Sequence, residues 1–190
     1  MSLLATSPTT ARFSLDPAML ATILDKARPL GHHEDESTLN LGFGFLYYGL
    51  VRTLRPRHVV VIGSGFGFSV VCLALAMKDN GVGRLSFVDP SYSLLRNGPL
   101  QTIGGTSQWD EPRKVRDHFA RFGVEQIVTH YRQTSETFFG EWSTNALPPL
   151  DIGFIDGNHS YDAARHDFMA AVQVSRPNSY LLLHDTNLYL

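Results

Sequence analysis

The chemistry in this sequence gathers where apolar runs end. The clearest case is VVVIGSGFGFS, from Val59 to Ser69, in which four apolar residues run into Gly63-Ser-Gly-Phe-Gly67 and the chain continues as the apolar stretch up to Met77. A strand, a glycine turn and a helix start in that order present backbone N–H groups, and the positive end of a helix dipole, to a ligand at the carboxyl edge of a sheet. Taken alone, the turn also fits a purely structural connection. One strand later, Arg84-Leu-Ser-Phe-Val-Asp89 ends in an acid. A carboxylate there offers two acceptor oxygens to the paired hydroxyls of a ribose, or else it caps the turn before Pro90. The run His32-His-Glu-Asp-Glu-Ser37 holds two histidines and three acids. Adjacent side chains seldom converge on one ion, so a solvated loop is expected.

Alternating strands and helices would have to position these residues. Asp16 can cap a helix with Pro17 in its first turn, and Met19, Leu20, Ile23, Leu24 and Ala27 recur at helical spacing until Pro29-Leu-Gly31. A second, apolar and aromatic helix is expected over 41–54, stopped by Arg55-Pro56. Strand one covers 58–62, its helix runs to about Lys78, and Asp79–Gly83 is a loop before strand two. The segment 91–111 is too long for an ordinary connection and reads as a lid or substrate loop, with Tyr92 and Trp109 its residues of interest. A helix follows over 112–122, with Val115, Phe119 and Phe122 on one face and Gly123 as its stop. Strand three is expected over 126–131, a short helix from Thr134, strand four over 150–156, a helix over 162–174, a turn at Arg176-Pro-Asn-Ser179 and strand five over 180–185. Such alternation specifies an α/β fold, a doubly wound and mainly parallel sheet with helices on both faces.

Composition narrows the class. With 190 residues, 43% of them hydrophobic, the chain can build one substantial core. Residues 1–13 are expected to fray, and 14–190 to form a single domain, with N-terminal helices over 14–56 and an α/β core over 57–190. The net charge of −2 and scattered basic residues argue against a nucleic-acid surface. The single cysteine, Cys72, excludes an internal disulfide framework and reads as a core residue. Neither a secretory signal nor a run of roughly 18 to 20 apolar residues is visible, so a cytoplasmic protein that does not enter membranes is expected.

Five motifs in order, IGSGFGFS, SFVD, TSETFF, DIGFIDGNHSYD and LLLHDTN, resemble the class I S-adenosylmethionine-dependent methyltransferases, specifically their small-molecule O-methyltransferase-like group. The similarity spans roughly residues 40 to 187 and implies a Rossmann-like sheet. It implies that Gly63, Ser64, Gly65 and Gly67 lie under the methionine part of the cofactor with Ser69 near its carboxylate, that Asp89 holds the ribose, and that Thr134 and Ser135 lie by the adenine. Two positions depart from the pattern. Val61 stands where these enzymes often carry an acid, and Thr186 stands where metal-dependent members carry the Asn of an Asp-Asn pair, with Asn187 one step later.

Methyl transfer to a hydroxyl is an in-line displacement from a sulfonium, and the hydroxyl must be deprotonated or nearly so. Asp156, Asp185 and Asn187 would make an oxygen-rich site for Mg²⁺ or another divalent cation, and His159 or His184 would be the general base. The acceptor would be a small molecule. A nicotinamide-dependent Rossmann oxidoreductase and a catalytically inactive cofactor-binding or assembly module remain as alternatives. Strands six and seven of the full fold are apparently missing from this sequence, which leaves an apolar edge strand and predicts a homodimer or larger assembly.

Overall fold

The structure, a computed structural model, describes residues 13–91, 95–97, 100–102 and 108–185; most of the N-terminus expected to fray, together with Tyr92, Thr186 and Asn187, lies outside these. Strand β1 (His58–Ile62) is buried along its whole length at the centre of the sheet. Alternation along it sends Val59 and Val61 into one apolar cluster, shared with α2 (Phe43–Leu54) and α3 (Phe68–Asn80). Val60 and Ile62 point into the opposite cluster, shared with Phe138 of α5 (Ser135–Gly140) and Ala171 of α6 (Tyr161–Val174). Both faces are therefore covered. Cys72 is fully buried in α3, as its apolar surroundings predict.

Every pairing in the main sheet is parallel, and the order is β5 (Val128–Tyr131), β2 (Arg84–Val88), β1, β6 (Leu150–Ile155), β7 (Ser175–Leu183). From β1 the chain winds outward through β2 to β5, then returns to the other side of β1 through β6 and β7. The reversal lies between β1 and β6, and crevices at such a reversal are where open α/β sheets bind ligands. Register aligns the residues just past each strand: Ile62 is level with Val88 and with Ile155. Ladder bonds continue one step further, with Gly63 N–H donating to the Val88 carbonyl (2.9 Å), Asp156 N–H to Ile62 (2.8 Å) and His184 N–H to Ile155 (3.0 Å). Gly63, Asp89, Asp156 and His184 thus stand on one rim.

Several elements differ from the sequence-based expectation. Helix α1 (Pro17–Thr22), capped by Asp16 accepting from Met19 N–H (2.8 Å), passes into a π-helical turn, Ile23–Ala27, and stops at Arg28 in a left-handed conformation. The third strand of the chain's βα alternation, β5, begins at Val128 because Ile127 and Val128 both donate to the Val124 carbonyl in a turn. The expected turn at Arg176–Ser179 lies inside β7 as an irregularity, where Leu150 pairs with Ser175 but Ile152 pairs with Tyr180. There the Ser179 hydroxyl bridges the carbonyls of Leu150 and Arg176. Within the segment 91–111, β3 (Leu95–Asn97) and β4 (Leu100–Thr102) form an antiparallel ribbon that no alternation in the sequence announced. Helix α4 (Pro112–Ala120) then packs Val115 and Phe119 inward as expected.

Candidate functional site

The glycine turn owes its shape to backbone that other residues adopt poorly. Gly63 has φ 67°, and a Cβ there would overlap the Asp156 carbonyl, so the loop and the end of β6 can touch only through glycine. Ser64 and Ser69 are both buried and their hydroxyls pair at 2.6 Å. Trp109, 2% exposed, donates its indole N–H to the Gly65 carbonyl (3.1 Å) and stacks on Phe119. The loop is therefore tied to the 91–111 segment through Trp109.

Asp89 is buried, and one of its oxygens accepts from Ser91 N–H (2.7 Å), so the turn-capping reading of this residue is realised in part. Burial pushes its carboxyl up to about 6, against a smaller opposing effect of that hydrogen bond. Its carbonyl accepts from His130 Nε2 (3.0 Å), which fixes the backbone beneath it. Thr134 caps α5, accepting from Thr137 N–H (3.3 Å), and Ser135 is the first residue of that helix. Both are half-buried.

On the β6–β7 side the rim carries acids and imidazoles. Asp156, His184 and Asp185 each offer a ligand atom, all within 4.8 Å of one another. His184 Nδ1 lies 3.1 Å from Asp156 Oδ1 and 3.1 Å from Asp185 Oδ2, yet neither contact is aligned as a hydrogen bond. His159 adds Nε2 at 3.5 Å from Asp156 and Nδ1 at 3.6 Å from Asp185, and its buried Nε2 also lacks an aligned partner. Close nitrogen and oxygen atoms without hydrogen-bond alignment are what a coordination sphere produces, since neighbouring ligands about 2.1 Å from a small divalent cation lie about 3.0 Å apart. The donor set, two carboxylates and an imidazole, fits such an ion. Asp185 also holds φ 54°, a left-handed conformation that a non-glycine residue adopts at some cost.

The electrostatics of this side are set by opposing effects. Burial alone would raise the Asp156 carboxyl, but the imidazoles of His159 and His184 beside it hold it below the usual range. Burial alone would lower His184, and Asp156 with Asp185 raise it instead. His32 goes the other way, down to about 4, through burial and then the neighbouring His184.

The structure brings Gly63, Asp89, Asp156 and His184 to one rim, with His159 and Asp185 beside them. Asn187 lies outside the described residues, and the third group close to both carboxylates is the imidazole of His184. The main correction concerns His32. Expected in a solvated loop, it is 4% exposed and its ring lies over His184, with centroids 4.4 Å apart. The exposed His33, Glu36 and Ser37 around it do fit the loop reading. The surrounding charges masked the one inward-facing member.

The protein-family model described as "Methyltransferase domain" matches residues 60–186. A curated relative, the uncharacterized protein y4gI of Sinorhizobium fredii (strain NBRC 101917 / NGR234), is 25% identical over 155 residues, which cover 82% of this chain and 16% of that protein. The chain thus spans only a small part of that relative. Among solved structures it is similar to the O-methyltransferase TomG from Streptomyces achromogenes, involved in tomaymycin synthesis and solved with SAM, at TM-score 0.58 and 17% identity over 92% of this chain and 67% of that one. It is also similar to an O-methyltransferase from Bacillus cereus in complex with SAH, at TM-score 0.55 and 17% identity over 85% of this chain and 63% of that one. At these identities the likeness establishes the fold.

Proposed function

The chain belongs to the methyltransferase-domain family, and from that premise we propose that it transfers a methyl group from S-adenosylmethionine to a hydroxyl of a small molecule, with a divalent cation at Asp156, His184 and Asp185. The observation that carries this reading is the shared rim: a glycine loop and Asp89 suited to the cofactor stand beside a cluster of two carboxylates and two imidazoles. Gly63, Ser64, Gly65 and Gly67 cradle the methionine end, and Ser69 supports the loop through Ser64. Asp89 accepts from the ribose hydroxyls with the oxygen that Ser91 leaves open. Thr134 and Ser135 border the adenine.

When bound, the ion supplies Lewis acidity that lowers an acceptor hydroxyl's pKa, and the cofactor supplies a sulfonium methyl open to in-line displacement. The chain's own side chains do the rest. Asp156 and Asp185 hold positions on the rim beside the glycine loop, so an acceptor oxygen bound against them faces the cofactor's methionine end. His159, with 18% of its side chain exposed, is the imidazole that takes the hydroxyl proton. Trp109, from the segment 91–111, borders the cofactor loop through its bond to the Gly65 carbonyl.

Calorimetry with S-adenosylhomocysteine, followed by transfer assays with Mg²⁺ on a panel of phenols and catechols, tests the reading. Binding and Mg²⁺-dependent methylation are expected; tight binding of NAD with none of S-adenosylhomocysteine would overturn it. No helix among the described residues is long and apolar enough to cross a membrane. Tyr180 and Leu183 are exposed on β7, which stands at one end of the five-stranded order, and they favour association into a dimer. A monomer by light scattering at high concentration would refute that.

A further inference from the structure

Resting on the ion reading above, we propose that His32 is a positioning residue for the ion site: it holds the His184 ring so that Nδ1 points between Asp156 and Asp185. His32 comes from the segment between the first two helices, far from the rim in sequence, and both its backbone and its ring are held. Its N–H donates to Glu34 Oε2 (2.8 Å), and its carbonyl accepts from Phe43 N–H (2.8 Å), the first residue of α2. Gly42, at φ 53° and ψ −123°, permits that lock, because a Cβ there would overlap the His32 carbonyl. The ring lies over Phe68 with centroids 4.7 Å apart, and its Nδ1 hydrogen-bonds the Tyr47 hydroxyl at 3.1 Å.

His184 has the complementary need. Its backbone is held by Ile155, but its ring must be turned to bring Nδ1 within 3.1 Å of both carboxylates. The nearest aromatic ring on its own sheet, Phe154, is 6.3 Å away, whereas His32 is at 4.4 Å with the planes 37° apart. Gly31 lies on the same side, where a Cβ would make only an ordinary contact with His184 Cε1, at 3.9 Å. Phenylalanine at position 32 would supply the same plate but could not hydrogen-bond Tyr47, so its rotation would be free. Partners that orient a metal-binding imidazole typically change affinity by about 10–100-fold when lost.

Mn²⁺ binding by the whole chain, measured by calorimetry alongside S-adenosylhomocysteine binding and thermal melting, tests this. Expected is a loss of Mn²⁺ affinity of about tenfold or more in His32→Ala, a smaller loss in His32→Phe and in Tyr47→Phe, and no further loss when the last two are combined. S-adenosylhomocysteine affinity should stay at the wild-type value in all of them. A purely structural role would lower the melting temperature and leave Mn²⁺ affinity alone, which would overturn the proposal while the ion reading stands. If His32→Ala does not fold, wild-type Mn²⁺ affinity in Tyr47→Phe overturns it instead. Absence of Mn²⁺ binding by the wild-type chain would remove the ion reading and this role together.

Discussion

The two ends of the carboxyl rim are made of different material. On the β1–β2 side the rim is main chain, shaped by glycines at positive φ, with one acid, Asp89, and a buried Val61 beneath. On the β6–β7 side it is made of side chains, two carboxylates and two imidazoles, drawn from two strand ends and braced by a histidine from the N-terminal segment. The first end is suited to hold a constant molecule by its outline. The second concentrates charge, and it can shift protons. Binding and chemistry should therefore fail separately when each end is damaged.

The largest effect is expected at the charged end. Asp156→Ala should lower kcat/KM by about 10³-fold or more, the several kcal/mol a lost Lewis acid represents, while calorimetry finds S-adenosylhomocysteine affinity within about twofold of wild type. A parallel loss of cofactor affinity would erase the distinction between the ends. His159→Ala should reduce kcat by about 10²- to 10⁴-fold with little change in acceptor KM, the range of a lost general base. The acidic limb of the wild-type pH–rate profile, where a general base is protonated, should be absent in this variant.

At the cofactor end Asp89→Asn should weaken S-adenosylhomocysteine binding by about tenfold or more, equivalent to one charge-assisted hydrogen bond, yet leave kcat at saturating cofactor close to wild type. The same substitution should stabilise the empty chain. Burial raises Asp89 from its ordinary 3.8 to about 6, so the folded chain holds that proton more tightly than the unfolded chain. Stability is then full below the ordinary value, falls as pH rises through about 6, and stays reduced by roughly 3 kcal/mol above it. Melting curves at pH 5 and pH 8 should show the asparagine variant gaining about twice as much at pH 8 as at pH 5. Cofactor binding has the opposite slope, since it requires the carboxylate and should weaken below pH 6. The smallest effect is expected from Trp109→Phe, which keeps the stack on Phe119 and loses the bond to Gly65; about 1 kcal/mol of stability and a few-fold in cofactor affinity should go with it.

How far each end can be read from sequence follows from the same difference. A loop that works through its backbone must declare itself in glycines, and Gly63, Gly65 and Gly67 do so within five consecutive residues. Asp89, Asp156 and Asp185 could be found because strand ends are legible from apolar runs that stop at an acid. His184 was visible for the same reason, although its place beside both carboxylates depended on the β6–β7 register. His32 was not visible. Its value comes from a ring reached only after α2 packs on α3, and nothing in Gly31-His-His-Glu says which histidine turns inward. The ribbon β3–β4 escaped because three-residue strands carry no period to detect.

The π-helical turn at Ile23–Ala27 gives the N-terminal segment a phase of its own. Such a turn carries one residue more than an α-helix needs over the same length, and each residue is worth about 100° around a helix axis. That surplus is absorbed with Ile23, Leu24 and Ala27 buried and with Asp25 and Lys26 turned outward. Arg28 leaves it over the Phe66 ring of the glycine loop, at 4.6 Å, and His32 arrives four residues later over His184. The count of residues between Thr22 and Arg28 therefore acts as a spacer between the two ends of the rim. Shortening it by one would leave every side chain of the site in the sequence and misdirect the histidine that braces it.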